Sequence, residues 1–368
     1  MSNLPPLDKL DPRAAWEPWQ PTADDPWSAK WAAHLYRRAG FGPNRDELKT
    51  AVAAGVSAAV DRLLAGPKDP PRRDRFGFGP PPTDPMTGAP DPGLHTAMLR
   101  ANWLGRMIDG ADALREKMAL FWHNHFATSV RKVAHAGLME AQGDLLYRHA
   151  LGHFRALLTD ISRDPAMLVW LDSNQNVRGK PNENYAREVM ELFSLGVGHY
   201  TEQDVREAAR AFTGRHTAGD KFAFNANQHD PGSKTVLGQT GPWDGDDVLR
   251  ILLEQPACAP FLVRKLYQFF VSESAPPPDA LLAPLADAFR KSDYDIAVPV
   301  RTILRSRVFY SAHAYRQKFK SPVEYAVGVV RAVGVGVTGR VTTNPYALLD
   351  PLELMGQLLY APPNVKGW

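Results

Sequence analysis

Residues 182–196 read NENYAREVMELFSLG. Unwrapped at about 100° per residue, the stretch separates into two sides. Glu183, Asn184, Arg187, Glu191 and Ser194 share a polar arc, while Tyr185, Ala186, Val189, Met190, Leu192 and Phe193 cover the opposite side. The pattern predicts an amphipathic helix over 184–195. Arg187 lies four residues from both Glu183 and Glu191, so two i,i+4 ion pairs are expected, worth roughly 0.2–0.5 kcal/mol each. Those two glutamates read as a solvated face. Glu188 differs, because it falls at the seam beside Leu192 and Leu195. A carboxylate there is half buried and either finds a partner or gains a raised pKa.

Helical patterns dominate on both sides of this stretch. NRDELKTAVAAG (44–55) offers Asn44 as N-cap, Glu47 three residues on and Gly55 as stop, and Ser57–Gly66 repeats the scheme. Further helices are expected at about 96–110, 112–127, 137–150, 153–162 and 202–213, the last capped by Thr201 with Asp204. Beyond these, helices are expected at about 245–254, 259–272, 279–291, 296–309, 322–333 and 347–359. The segment 66–94, rich in Pro and Gly, reads as a long surface loop. KFAFNANQHDPGSKTVLGQTG (221–241) breaks the helical pattern: Phe222 and Phe224 alternate with polar or small residues, Thr235–Leu237 is β-prone, and DPGS between them suits a turn. The fold class that follows is all-α with a small β-hairpin insert. An irregular arm rich in Pro and Trp at 1–30 precedes a single helical domain at 31–368.

The chain has 368 residues, 44% hydrophobic, enough to bury a large core. Lys and Arg number 43 against 40 Asp and Glu, a net charge of +3, so no nucleic-acid partner is expected. The one cysteine, Cys258, allows no internal disulfide and reads as a small buried hydrophobe. The longest apolar-rich run, Phe261–Val271, contains Arg264 and Lys265 and is too short to span a bilayer, which takes roughly 20 residues. No basic region followed by an apolar run opens the sequence, which points to a cytoplasmic location.

Three groups of side chains could carry chemistry. The first is Glu188. The second is FWHNHF (121–126), where His125 shares a stripe with Leu114, Met118 and Phe121, and His123 points away with Glu116. On a helix an i,i+2 pair does not share a face, so a joint metal ion is not expected from the spacing, and proton transfer is the role to test for His123. The third is HDPGSK, whose His229, Asp230 and Lys234 could touch a phosphate or a carbohydrate, or could simply build a tight turn. RRAGFGP (37–43) lacks the spacing of a nucleotide loop, and no GxSxG, HExxH or CxxC motif is present.

Seven blocks occur in a recognisable order: HLYRRAGFGP, REKMALFWHNHF, NENYAREVMELFSLGVGHYTEQDVREAARAFTG, HDPGSKTVLGQTG, FLVRKLYQFFVS, KFKSPVEYAVGVVRAVG and LYAPPNVKGW. Together they resemble the bacterial family catalogued as domain of unknown function 1800, over roughly 31–368. The resemblance implies a mostly helical protein and brings no established activity, cofactor or metal. It also implies a partner from a neighbouring family similar to sulfatases and phosphatases, an envelope or exported location for many members, and blocks that continue beyond PPNVKGW. Two function classes follow. One is a hydrolytic or metal-assisted enzyme gathering Glu188, His123, His125 and the HDPGSK loop. The other is a non-catalytic scaffold or binding module serving a partner enzyme or an envelope polymer.

Overall fold

The computed structural model describes residues 4–68, 83, 91–274, 276–334 and 344–368. Helix dominates them, and the only sheets among the described residues are two antiparallel two-stranded hairpins. Most of the Pro/Gly-rich segment 66–94 lies outside the described residues. Its end belongs to a helix, because Asp91 caps the first turn of Pro92–Asp109 by accepting from the Gly93 and Leu94 N–H groups.

The described residues gather into two compact units. The first comprises Met1–Phe121, Val263–Phe289 and Ile296–Leu359; the second comprises Trp122–Leu262, Arg290–Asp295 and Tyr360–Trp368. Each is discontinuous in sequence, and no shift of composition marks the division.

In the first unit the N-terminal arm is tied down by its tryptophans. Trp16 Nε1–H donates to the Leu281 carbonyl at 2.6 Å, and Trp19 stacks on Tyr310 with ring centroids 4.7 Å apart. The expected helix pair is present as Arg45–Ala54 and Val56–Ala65, and Asn44 and Glu47 form a reciprocal capping box. The second helix of the pair starts at Val56 rather than Ser57, with Gly55 at φ +83° making the break. Buried polar groups in this unit are paired. Glu116 accepts from Trp103 Nε1 at 2.9 Å and Arg106 Nε at 2.7 Å, and Lys117 forms an ion pair with Glu324.

In the second unit Trp122, Phe126 and Phe154 stack on one another around the end of helix Ala113–His125. Two short helices here, Val130–Val133 and Pro165–Trp170, are not expected from the sequence pattern, being too short to show a period. The predicted single hairpin over 221–241 is replaced by two: Arg215–Ala218 with Lys221–Phe224, and Lys234–Val236 with Gln239–Gly241. The cause is local. Gly219 at φ +63°, and Leu237 with Gly238 at +49° and +80°, provide two-residue turns whose twist matches paired strands. A longer connection through DPGS loses to those closer pairings.

The helix at the centre of the sequence analysis also departs from its expected form. Asn184–Glu188 is α-helical, but Val189–Ser194 is a π-helical turn, in which Leu195 N–H bonds the Met190 carbonyl five residues back. The extra residue in the turn changes the phase. Ser194, expected on the polar arc, is wholly buried and donates to the Val189 carbonyl at 2.5 Å. Glu191 leaves the i,i+4 line from Arg187 and instead accepts from the Tyr200 hydroxyl at 2.8 Å. Arg187 takes Glu183 at 3.0 Å and Glu202 through a two-pronged contact at 2.7 and 2.8 Å.

Candidate functional site

The sequence-predicted residues do not assemble into one constellation. His125 is buried among Trp122, Phe126, Phe154, Phe193 and Phe261, and its Nε2–H donates to the Phe193 carbonyl at 3.1 Å. That carbonyl lies at the end of the π-helical turn, where regular helix bonding has been interrupted, so the imidazole satisfies a backbone group. His123 is 1% exposed, accepts from the Tyr360 N–H through Nε2 at 3.1 Å, and is flanked by the rings of Tyr360 and Trp368. Burial pushes it down to about 3, so it stays neutral at physiological pH.

Glu188 is half buried, as its place on the seam predicts, and makes no hydrogen bond or ion pair among the described residues. Burial raises its pKa, and Glu191 adds to the shift; Arg187 and Lys366 oppose it. No hydrogen bond joins it to either histidine. Among the described residues no group of three His, Cys, Asp or Glu side chains is placed to hold a metal ion.

The HDPGSK loop is held for structural reasons at every polar group. His229 Nδ1–H donates to the Thr213 carbonyl at 3.0 Å. Asp230 receives Arg210 at 2.8 and 3.3 Å and the Gly232 N–H at 2.9 Å, and the Arg210 guanidinium keeps its carboxyl below the usual range. Lys234 is 1% exposed, with its ammonium on the Asp230 and Gly232 carbonyls at 2.6 and 2.9 Å. All three side chains serve the turn.

A different place in the first unit has the character of a binding site. Lys30, Ala33, His34, Arg37 and Arg38 follow the i, i+3, i+4, i+7, i+8 spacing of one helical face, on helix Ala29–Arg38. With Phe41, the segment from Tyr315 to Lys320 and Glu324, they line a cleft of ≈460 Å³. Six of the lining side chains are cationic and one is a carboxylate.

Two of the cations are fixed by partners. Arg38 is buried and donates through Nη2 to the Ala314 carbonyl at 2.7 Å and to the Val271 carbonyl at 3.1 Å; burial brings its pKa down to about 10. Lys318 pairs with Glu273 and lies over the Phe269 ring. The other four, Lys30, Arg37, Arg316 and Lys320, make no ion pair among the described residues. Lys30 rests on the Trp31 and Tyr315 rings at 4.2 and 4.9 Å, and Arg316 on Tyr315 at 5.4 Å. Arg316 adopts φ +61°, a left-handed conformation that costs a residue other than glycine and recurs at ligand sites. Phe319 stands at the rim, 86% exposed.

Sequence reasoning passed over this cleft because net charge was judged over the whole chain and RRAGFGP was tested only for nucleotide-loop spacing. The signal was there: a cationic stripe at helical spacing in 30–38, and Arg316, Lys318 and Lys320 within five residues.

Residues 34–368 match the family described as "Protein of unknown function (DUF1800)". No curated protein and no solved structure matches the chain. Among the described residues no helix is long and apolar enough to cross a membrane.

Proposed function

We propose, for a chain that belongs to the DUF1800 family of unknown function, that it is an anion-binding protein. Its ligand carries a phosphate-like group seated in the cleft between helix Ala29–Arg38 and residues 315–324. The observation that carries this reading is the convergence of four cations without ion-pair partners on one concave surface. Like charges placed together repel, and a fold tolerates the arrangement at little gain unless an anion completes it. Arginine provides a planar fork for a tetrahedral or carboxylate anion, and lysine a point charge. Arg38, fixed by two carbonyls, gives the cleft a preorganised wall.

Titration calorimetry at low ionic strength with inorganic phosphate and with sulfate tests the reading. Saturable binding is expected, weakened by at least about tenfold in the double variant Arg37→Ala/Lys320→Ala, since each charge-assisted contact contributes roughly 1.5–3 kcal/mol. Absence of binding for both anions, or unchanged affinity in the double variant, refutes it.

A second reading rests on one observation, the half-buried Glu188 carboxylate without a hydrogen bond beside a π-helical turn, a feature often found at functional sites. In that reading Glu188 transfers a proton to or from a substrate. Loss of turnover in Glu188→Gln, on any substrate found for the protein, supports it; retained turnover removes it.

A further inference from the structure

The cleft contains one polar atom of the wrong kind for a simple anion trap. His34 lines it, is 2% exposed, and its Nε2–H donates to the Phe309 carbonyl at 3.0 Å. In that tautomer the other ring nitrogen, Nδ1, carries a lone pair, and it has no hydrogen-bond partner among the described residues. The only carboxylate in the lining, Glu324, is already committed, one oxygen to Lys117 and the other to the Ser321 N–H at 2.8 Å. A lone-pair acceptor among six cations gains nothing from an anion that has only acceptor oxygens.

We infer that His34 Nδ1 is the specificity-determining acceptor of this cleft, and that the anion it selects carries a hydroxyl on phosphorus: a phosphate monoester, in preference to a sulfate ester or a phosphodiester. The inference rests on the anion-binding reading above. The cations hold the charged oxygens, and the P–OH donates to Nδ1. A sulfate monoester and a phosphodiester are monoanions of similar shape, but neither has a hydrogen to donate, so Nδ1 would be desolvated without compensation. His34 keeps its lone pair in mild acid, because burial, with Arg38 nearby, brings it down to about 3. The ring of Phe319 at the rim suits an aryl group on the ester.

The test uses three ligands of matched charge: phenyl phosphate, phenyl sulfate and methyl phenyl phosphate, titrated into the full chain at pH 5.5. There a phosphate monoester, with a second pKa of about 6, is mostly a monoanion that retains its P–OH. Phenyl phosphate is expected to bind about tenfold more tightly than the other two, the factor that one hydrogen bond of ordinary strength supplies. His34→Phe is expected to remove that preference while leaving the affinity for phenyl sulfate within about twofold, whereas general damage to the cleft would weaken all three alike. Equal binding of the three ligands by the wild-type chain overturns the role of His34 and leaves the anion-binding reading standing. Failure of all three to bind overturns both, and the comparison within the wild-type chain decides the matter even if His34→Phe does not fold.

Discussion

Replacing Glu324 by Gln isolates the energetics of the buried pair beneath the cleft. Lys117 is 1% exposed and Glu324 8%, and the ammonium lies 5.1 and 5.3 Å from the ring centroids of Phe41 and Phe269. Burial alone would raise the Glu324 carboxyl, yet Lys117 and Lys318 outweigh it and hold the group below its ordinary value. In Glu324→Gln the amide retains the shape and one acceptor, but the ammonium loses its counter-charge. Breaking a buried pair from one side costs about 3–5 kcal/mol. The lysine can limit the loss by shedding its proton. From an ordinary pKa of about 10.4, that costs about 4.6 kcal/mol at pH 7, at 1.36 kcal/mol per unit. Both routes therefore give a destabilisation of about 3–5 kcal/mol at pH 7, readable as a fall in the urea midpoint followed by tryptophan fluorescence. The second route also fixes a sign. A lysine that is neutral in the fold and charged when unfolded leaves the unfolded state binding more protons, so stability rises with pH. The deficit should shrink by about 1.4 kcal/mol per unit, to about 2 kcal/mol at pH 9. Lys117→Met/Glu324→Leu, which removes both charges, should recover to within about 2 kcal/mol of wild type. A deficit in Glu324→Gln below about 1 kcal/mol, or one that grows with pH, would refute this account.

Three further outcomes follow from groups already placed. His125→Phe leaves the Phe193 carbonyl buried without a donor and should cost about 1–3 kcal/mol in urea unfolding; a neutral effect would show that the bond contributes nothing. Glu188 has a raised folded pKa, so its contribution is favourable at low pH and is lost as pH rises through that value. Glu188→Gln should therefore be at least as stable as wild type at pH 7 and lose that advantage toward pH 4, and a clear destabilisation at pH 7 would reveal a missed partner. Asp164, buried at the cap of Pro165–Trp170, is pushed up to about 6 by burial, against about 3.9 unfolded. Wild-type stability should fall by up to about 3 kcal/mol between pH 4 and 6, and Asp164→Asn should flatten that limb; parallel profiles would contradict the shift.

Caps and periods were legible in the sequence because they are local. Asn44 with Glu47, and Thr201 with Asp204, form the boxes their spacing announces, and the long amphipathic helices lie within a few residues of the expected bounds. The hairpins were misread because strands of three or four residues carry almost no pattern, leaving turn residues to decide the pairing. Glu188 was placed correctly at a half-buried seam, whereas Glu191 and Ser194 were not, since a π-helical turn has no residue signature and shifts everything after it. The cleft joins residues 30–41 to 315–324, a separation across which only tertiary structure brings charges together.

The π-helical turn has a consequence for any engineered change of length. Removing one residue between Val189 and Ser194 would let the chain close ordinary α turns, and everything beyond would be rotated by about 100° and drawn back about 1.5 Å. The Phe193 carbonyl would swing away from His125, and Ser194 would turn toward the surface. A single deletion here thus acts as a gear change on the strand of side chains that follows, whereas a substitution at the same place alters one tooth.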